Sequence, residues 1–344
     1  MEQQYTRRLE KIEAVLDCWL PDSPGHDWAA EVFPGLYTNH CPLPVALFSS
    51  LTGPGRDLLS RGGKRWRPLL MTLVCEALGG ADAALPLAPL VEFCHNASLI
   101  HDDIEDNSVE RRGLPAVHIV YGVDTAINSG CFLYFLPLAC IDSWATISPV
   151  AEFSRANIYT LWAGYIRKLH LGQAIDIHWH RNFSEIPSVE EYHTMCALKT
   201  GCLARFAAEL GAAVAAAEAA VVQRLGEAAE KLGIGFQILD DVKNVTTGLP
   251  GKKKGDDIVE GKKSLPVLLF LRQHPDKKGM VERCFNAARS NGVESPEVEE
   301  LIQAFGDSGV LAEAEAQGKT LIAEARVVFA ESSELLSGFI DFIF

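Results

Sequence analysis

Two acidic clusters dominate the chemistry this chain can offer: Asp102-Asp103-Ile104-Glu105-Asp106 and Asp240-Asp241-Val242-Lys243-Asn244. In the first, Asp102 and Asp106 are four residues apart and Asp103 and Asp106 three, so a helix projects all three from roughly one face. Like charges at that spacing repel by roughly 0.2–0.5 kcal/mol per pair, a cost that a bound cation removes. Hard carboxylate oxygens favour magnesium, which keeps several waters and completes its shell with phosphate oxygens. One such run alone is usually only a solvated helix face. The second cluster changes the balance. Apolar residues lead into each, Ser98-Leu99-Ile100-His101 before the first and Phe236-Gln237-Ile238-Leu239 before the second. The expectation is two semi-buried helix ends facing a common cavity, because unpaired carboxylates are costly to bury.

Basic residues gather in four places, each beside a glycine that lets backbone approach a ligand: Gly62-Gly63-Lys64-Arg65-Trp66-Arg67-Pro68, Arg111-Arg112-Gly113, Lys199-Thr200-Gly201, and the run from Gly251-Lys252 to Lys262-Lys263. Arginine forks and lysine ammonium groups are the side chains that grip diphosphates. Lys252 and Lys262 are each followed by lysine, so neither fits the nucleotide phosphate loop. GxSxG and HExxH motifs are absent, which points away from a protein nucleophile or a zinc peptidase. His178 and His180 are two apart and share no helix face, so a zinc site is not expected there.

The elements that must carry these residues are helical. Segments such as Arg67–Leu78, Leu87–His101, Val150–Leu171, Val189–Leu210, Ala216–Leu232 and Leu265–Gln273 repeat apolar residues at three and four spacing. Glycine and proline clusters at Gly79-Gly80, 111–115, 248–251 and His274-Pro275 separate them. With 344 residues, 48% of them hydrophobic, the chain can bury a large core. The reading is all-α: a single-domain helical bundle around a central apolar cavity over residues 46–344, preceded by an N-terminal helix and irregular arm over 1–45. A net charge of -14 argues against a nucleic-acid partner. Nine cysteines without a CxxC pair fit reduced thiols in the cytoplasm, and the acidic first twenty residues do not make a secretory signal. The longest apolar stretch, Ile127 to Ile141, is short of the roughly 20 residues a bilayer needs, so no membrane span is expected. The apolar end, Phe339 to Phe344, reads as internal packing or a dimer contact.

Over about Gly62 to Pro266 the chain resembles the trans-isoprenyl diphosphate synthases, the polyprenyl synthetase family. The resemblance is carried by GGKRWRP, EFCHNASLIHDDIEDNSVERRG, LHLGQAIDIHW, MCALKTG, GFQILDD, GKKKGDD and EGKKSLP, and IEDNS is most similar to the eukaryotic-type geranylgeranyl diphosphate synthases. It implies the isoprenoid synthase fold, a catalytic domain over 46–344 and a homodimer. It implies that Lys64, Arg67 and His95, with Arg112 beside them, hold the diphosphate of isopentenyl diphosphate. Arg111, Lys199, Lys252 and Lys262 would hold the allylic diphosphate, with Mg2+ on Asp102, Asp103, Asp106, Asp240 and Asp241. Thr200 and Gln237 would place oxygens near the developing carbocation, and Gln173 and Asp176 would line the same cavity.

That assignment agrees with the residue types. An allylic diphosphate ionises when metal and basic groups neutralise its leaving charge in a water-poor site, and the double bond of isopentenyl diphosphate then captures the cation. Chain length would follow from small residues at Ala97 and Ser98, which leave a channel open below Asp102, and from bulky Tyr134, Phe135 and His170 as its floor. The expected product is geranylgeranyl diphosphate. Alternatives are a farnesyl or longer-chain polyprenyl synthase, a class I terpene cyclase, whose second metal motif is absent here, or a non-catalytic partner subunit. Asn244 stands where the family commonly has a last aspartate, and the chain ends in apolar residues where some relatives carry a basic tail.

Overall fold

The computed structural model describes residues 2–37, 42–147, 151–248 and 253–343. Among them almost everything regular is helix, as the periodicity predicts; the exception is a hairpin of two two-residue strands, Glu110–Arg111 and Leu114–Pro115. Its turn residues Arg112 and Gly113 have φ of 56° and 75°, the geometry a tight two-residue hairpin demands.

The chain gathers into two compact units. The first comprises Met1–Gly164, Phe206–Gly226 and Phe329–Phe344. At its centre lies the helix Trp66–Ala77, in which every residue from Trp66 to Cys75 is buried, so it is buried all round rather than striped. The neighbouring helix Ala88–Glu105 carries the first acidic cluster at its C-terminal end. The N-terminal helix Glu2–Trp19 buries Tyr5, Ile12, Leu16 and Trp19, one stripe at helical spacing. The apolar C-terminal helix Glu334–Ile343 buries Leu336, Phe339, Ile340 and Ile343, and the Tyr5 hydroxyl donates to the Leu335 carbonyl at 2.7 Å. That terminus is therefore spent on internal packing.

The second unit comprises Tyr165–Arg205 and Glu227–Val328. Its core is built on the helix Leu265–Gln273, buried continuously from Leu265 to Leu271, with Phe285, Phe305 and Tyr192 around it. The long helices Ala151–Arg181 and Ala219–Thr246 contribute residues to both units.

Two helical stretches, Ala81–Glu105 and Val123–Ala145, are long and apolar enough by composition to cross a bilayer, which the sequence reading of Ile127 to Ile141 did not anticipate. Of the apolar 18-residue window in each, 67% is buried within the protein in the first and 50% in the second. The eight cysteines among the described residues are free thiols.

Candidate active site

In the first unit the acidic cluster is shaped by how its helix stops. Asp106 caps Ala88–Glu105, Asn107 follows with φ of 55°, and the amides of Ser108 and Asn107 donate back to the carbonyls of Asp103 (2.8 Å) and Ile104 (3.3 Å). This is a Schellman motif, with Asn107 in the left-handed position that asparagine tolerates. The chain then turns into the hairpin, which returns Arg111 over the acidic end. Arg111 Nε donates to Asp103 Oδ1 at 2.8 Å, its Nη2 also pairs with Asp103, and Nη2 lies 3.6 Å from Asp102 Oδ2. Asp103 is wholly buried, whereas Asp102 and Asp106 remain half-buried.

Two basic residues of this unit satisfy the C-terminus of the helix Val45–Ser60, whose last carbonyls need donors. Arg112 Nη1 donates to Leu58 O at 2.8 Å and Arg65 Nη2 to Leu59 O at 2.5 Å. Lys64 is exposed, and its Nζ donates to the Ile343 carbonyl at 2.5 Å. Arg67 is buried, with Nη1 3.4 Å from His95 Nε2. Burial, and then the charge of Arg67, hold the His95 imidazole well below its ordinary value, so it is neutral at physiological pH. Burial and the nearby Arg65 push Arg112 down to about 10, which leaves it charged.

In the second unit Lys199 and Thr200 lie in a π-helical turn, Ala197–Gly201, a local widening common at functional sites. Lys199 Nζ pairs with Asp176 at 2.5 Å. Gly172, preceding half-buried Gln173, permits this approach: a Cβ there would lie 2.4 Å from the Lys199 amide nitrogen. Thr200 donates to Gln237 Oε1 at 2.9 Å, and Gln237 Nε2 donates to Asp241 Oδ1 at 2.9 Å. Asp241 Oδ2 accepts from the Tyr192 hydroxyl at 2.6 Å and from the Leu265 amide at 3.4 Å. Burial, and then the charge of Asp257, push the Asp241 carboxyl up to about 7. Lys262 Nζ pairs with Glu260 at 2.5 Å. Lys252 lies outside the described residues.

The structure thus divides the five expected metal ligands. Asp103 and Asp241 are buried against protein donors; Asp102, Asp106 and Asp240 are half-buried. Among the described residues no three His, Cys, Asp or Glu side chains are grouped so as to hold an ion by themselves. An all-oxygen donor set that leaves most of the shell to other ligands still fits a divalent ion completed by water and phosphate oxygens. Arg111, set against Asp102 and Asp103, shows that the acidic end holds positive charge. Asn244 is fully buried, and its Oδ1 accepts from the Asp257 amide at 3.2 Å, so this side chain secures the Gly255–Asp257 turn.

The expected chain-length residues separate. Ala97 is fully buried and Tyr134 is 7% exposed, its ring stacked on His101 at 5.7 Å, while Ser98 is half-buried. Phe135 is 61% exposed, edge-on to Trp162, and His170 is exposed with Nδ1 2.9 Å from Ile166 O. In the single chain Phe135 faces outward while Tyr134 faces inward, because neighbours on a helix point about 100° apart. Sequence reading missed Tyr192, for which no local signal exists. A cavity of about 400 Å³ in the second unit, lined by Ala174, Ile175, His178, Trp179, Glu191 and Thr194, sits on the helix face opposite Gln173 and Asp176. His178 there pairs with Glu185 at 2.8 Å.

The polyprenyl synthetase family profile matches residues 49–304. A geranylfarnesyl diphosphate synthase from Aeropyrum pernix is 32% identical over 308 residues, 85% of this chain and 93% of the relative. A geranylgeranyl pyrophosphate synthase from Neocamarosporium betae is 35% identical over 229 residues, 66% of this chain and 63% of the relative. The crystal structure of a polyprenyl synthase from Caulobacter crescentus CB15, complexed with calcium and isoprenyl diphosphate, superposes with a TM-score of 0.79 at 25% identity, covering 99% of this chain and 97% of that one. The chain belongs to the polyprenyl synthetase family and is a trans-prenyltransferase.

Proposed function

We propose that this prenyltransferase condenses isopentenyl diphosphate with allylic diphosphates and releases geranylgeranyl diphosphate. The observation that carries the product length is the column beneath Asp102. Ala97, five residues and about 7.5 Å of helix rise before it, is a small buried side chain, and buried Tyr134 stands beside the same helix against His101.

In the first unit Lys64, Arg67 and Arg112, with neutral His95 as hydrogen-bond partner, bind the diphosphate of isopentenyl diphosphate. Arg111, held by Asp103, grips the allylic diphosphate. In the second unit Lys199 and Lys262, which pair with Asp176 and Glu260, bind phosphate oxygens of the allylic diphosphate. Asp102 and Asp106 in the first unit and Asp240 in the second would serve as magnesium ligands, and the metal would supply neutralisation of the departing diphosphate's charge. Asp103 and Asp241 keep Arg111 and Gln237 in place. Thr200 and Gln237 present oxygens toward positive charge on the allylic carbon.

Exposed Ile119, Val120, Val123, Ile127 and Phe135 in the first unit support a homodimer, since apolar surface of that extent is costly to leave in water. Free cysteines support the cytoplasm as its compartment.

The test is chromatography of products formed from isopentenyl diphosphate with each allylic starter. A dominant twenty-carbon product supports the reading; a dominant fifteen-carbon product overturns it. The outward Phe135 favours a longer chain as the second reading, which the same chromatogram separates.

A further inference from the structure

Arg65 lies between two residues of the isopentenyl diphosphate subsite and is buried. Its backbone is left-handed, φ 46° and ψ 28°, a conformation that costs a non-glycine residue energy and persists only where its surroundings impose it. Its guanidinium is 3% exposed. Nε donates to Glu13 Oε1 at 2.8 Å, Nη1 to Gly62 O at 2.9 Å and Glu92 Oε1 at 3.1 Å, and Nη2 to Leu59 O at 2.5 Å. Three separate elements are tied to it: the N-terminal helix through Glu13, the end of Val45–Ser60 through Leu59, and the acidic-cluster helix through Glu92.

The left-handed residue reverses the chain just before Trp66–Ala77 begins. Lys64 is thereby left outside the helix and Arg67 in its first turn. Gly63 makes room for this arrangement: a Cβ there would lie 2.9 Å from Arg65 Nη1 and 3.1 Å from Arg112 Nη2. The spacing of Lys64, Arg67 and Arg112 therefore depends on where the Arg65 guanidinium is held, and Glu13, from a helix that carries no ligand-binding residue, is one of the groups holding it.

We infer that Arg65 is a positioning residue for the isopentenyl diphosphate subsite and that Glu13 makes the N-terminal helix part of it. The inference rests on the reading that Lys64 and Arg67 bind that diphosphate.

The experiment is steady-state kinetics of Arg65→Lys, Glu13→Gln and their double variant, with Arg67→Ala as the control. Arg65→Lys should raise KM for isopentenyl diphosphate about tenfold and Glu13→Gln about threefold, with kcat and the allylic KM within about twofold, as expected when ground-state binding alone is lost. The double variant should fall short of the product of the two effects, because both remove one contact. If Arg67→Ala raises the isopentenyl KM but Arg65→Lys and Glu13→Gln lower only Tm, Arg65 is merely structural and the inference falls. Equal rises in both Michaelis constants also overturn it. If Arg65→Lys does not fold, Glu13→Gln decides, since Glu13 is partly exposed and its loss leaves the other three acceptors. An Arg67→Ala enzyme with unchanged isopentenyl KM would refute the subsite reading itself.

Discussion

The Tyr192 hydroxyl donates to Asp241 Oδ2 at 2.6 Å inside the core of the second unit, although 49 residues separate the two in the chain. Tyr192 is 1% exposed and Asp241 5%, so the bond stands in place of water for a carboxylate that burial already disfavours. Tyr192→Phe keeps the ring and removes the donor. Stability should fall by about 1–3 kcal/mol, the cost of leaving a buried acceptor short of a partner, and the Asp241 carboxyl should rise further because this bond lowers it. Urea denaturation reads the first effect; an unchanged midpoint would mean the bond contributes nothing.

Asp102 and Asp103 are neighbours with different surroundings, and their variants should behave differently. Asp102→Ala should lower kcat by about a thousandfold with helix content intact, as expected when a metal-holding group is lost. Asp103→Asn should also lower the melting temperature, because Arg111 loses the carboxylate it pairs with. Circular dichroism with divalent-ion titration of activity separates the two, and an Asp102→Ala enzyme within tenfold of the parent would show that this carboxylate holds no metal.

Division of labour between the basic groups gives a kinetic prediction. Arg67→Ala should chiefly raise KM for isopentenyl diphosphate and Lys199→Ala that for the allylic substrate, each by about ten- to a hundredfold. Initial-rate measurements with each substrate varied in turn check this. Matching changes in both constants from each variant would contradict separate subsites.

Product length should respond to one of two adjacent aromatics. Tyr134→Ala should yield chains beyond twenty carbons, whereas Phe135→Ala, altering a side chain that is 61% exposed, should leave the distribution unchanged. Chromatography of the dephosphorylated products decides; the reverse outcome would place the floor at Phe135.

Lys263 supplies a pH dependence. It is buried, with Nζ 4.9 Å and 5.1 Å from the rings of Phe183 and Phe285 and 3.2 Å from the Gly261 carbonyl. Burial, and then the charge of Arg289, push its amine from 10.5 down to about 8. The unfolded chain therefore binds this proton more tightly than the folded one. The penalty is complete below pH 8 and relieved as pH rises from 8 toward 10.5, amounting to about 3 kcal/mol at most. Relative to Lys263→Met, the parent should gain stability over that window. Parallel urea curves for the two proteins at pH 7 and pH 9.5 test this, and a constant difference would refute it.

The helices, the acidic clusters and the basic motifs were legible in the chain because each depends on neighbours within four or five residues: apolar spacing sets a helix face, and Asp102 and Asp106 share one whatever surrounds them. The hairpin turn at Arg112-Gly113 and the helix stop at Asn107 are local events of the same kind, though their left-handed backbone emerges only in three dimensions. What sequence could not decide is which member of each pair is buried, and against which groups. Asp103 differs from Asp102 because the hairpin brings Arg111 onto it, Asp241 differs from Asp240 because Tyr192 and the Leu265 amide reach it, and Asn244 secures a turn because the Asp257 amide lies opposite. Those outcomes depend on contacts between distant segments, and desolvation and hydrogen bonding, which act through space, assign the roles that residue type and spacing leave open.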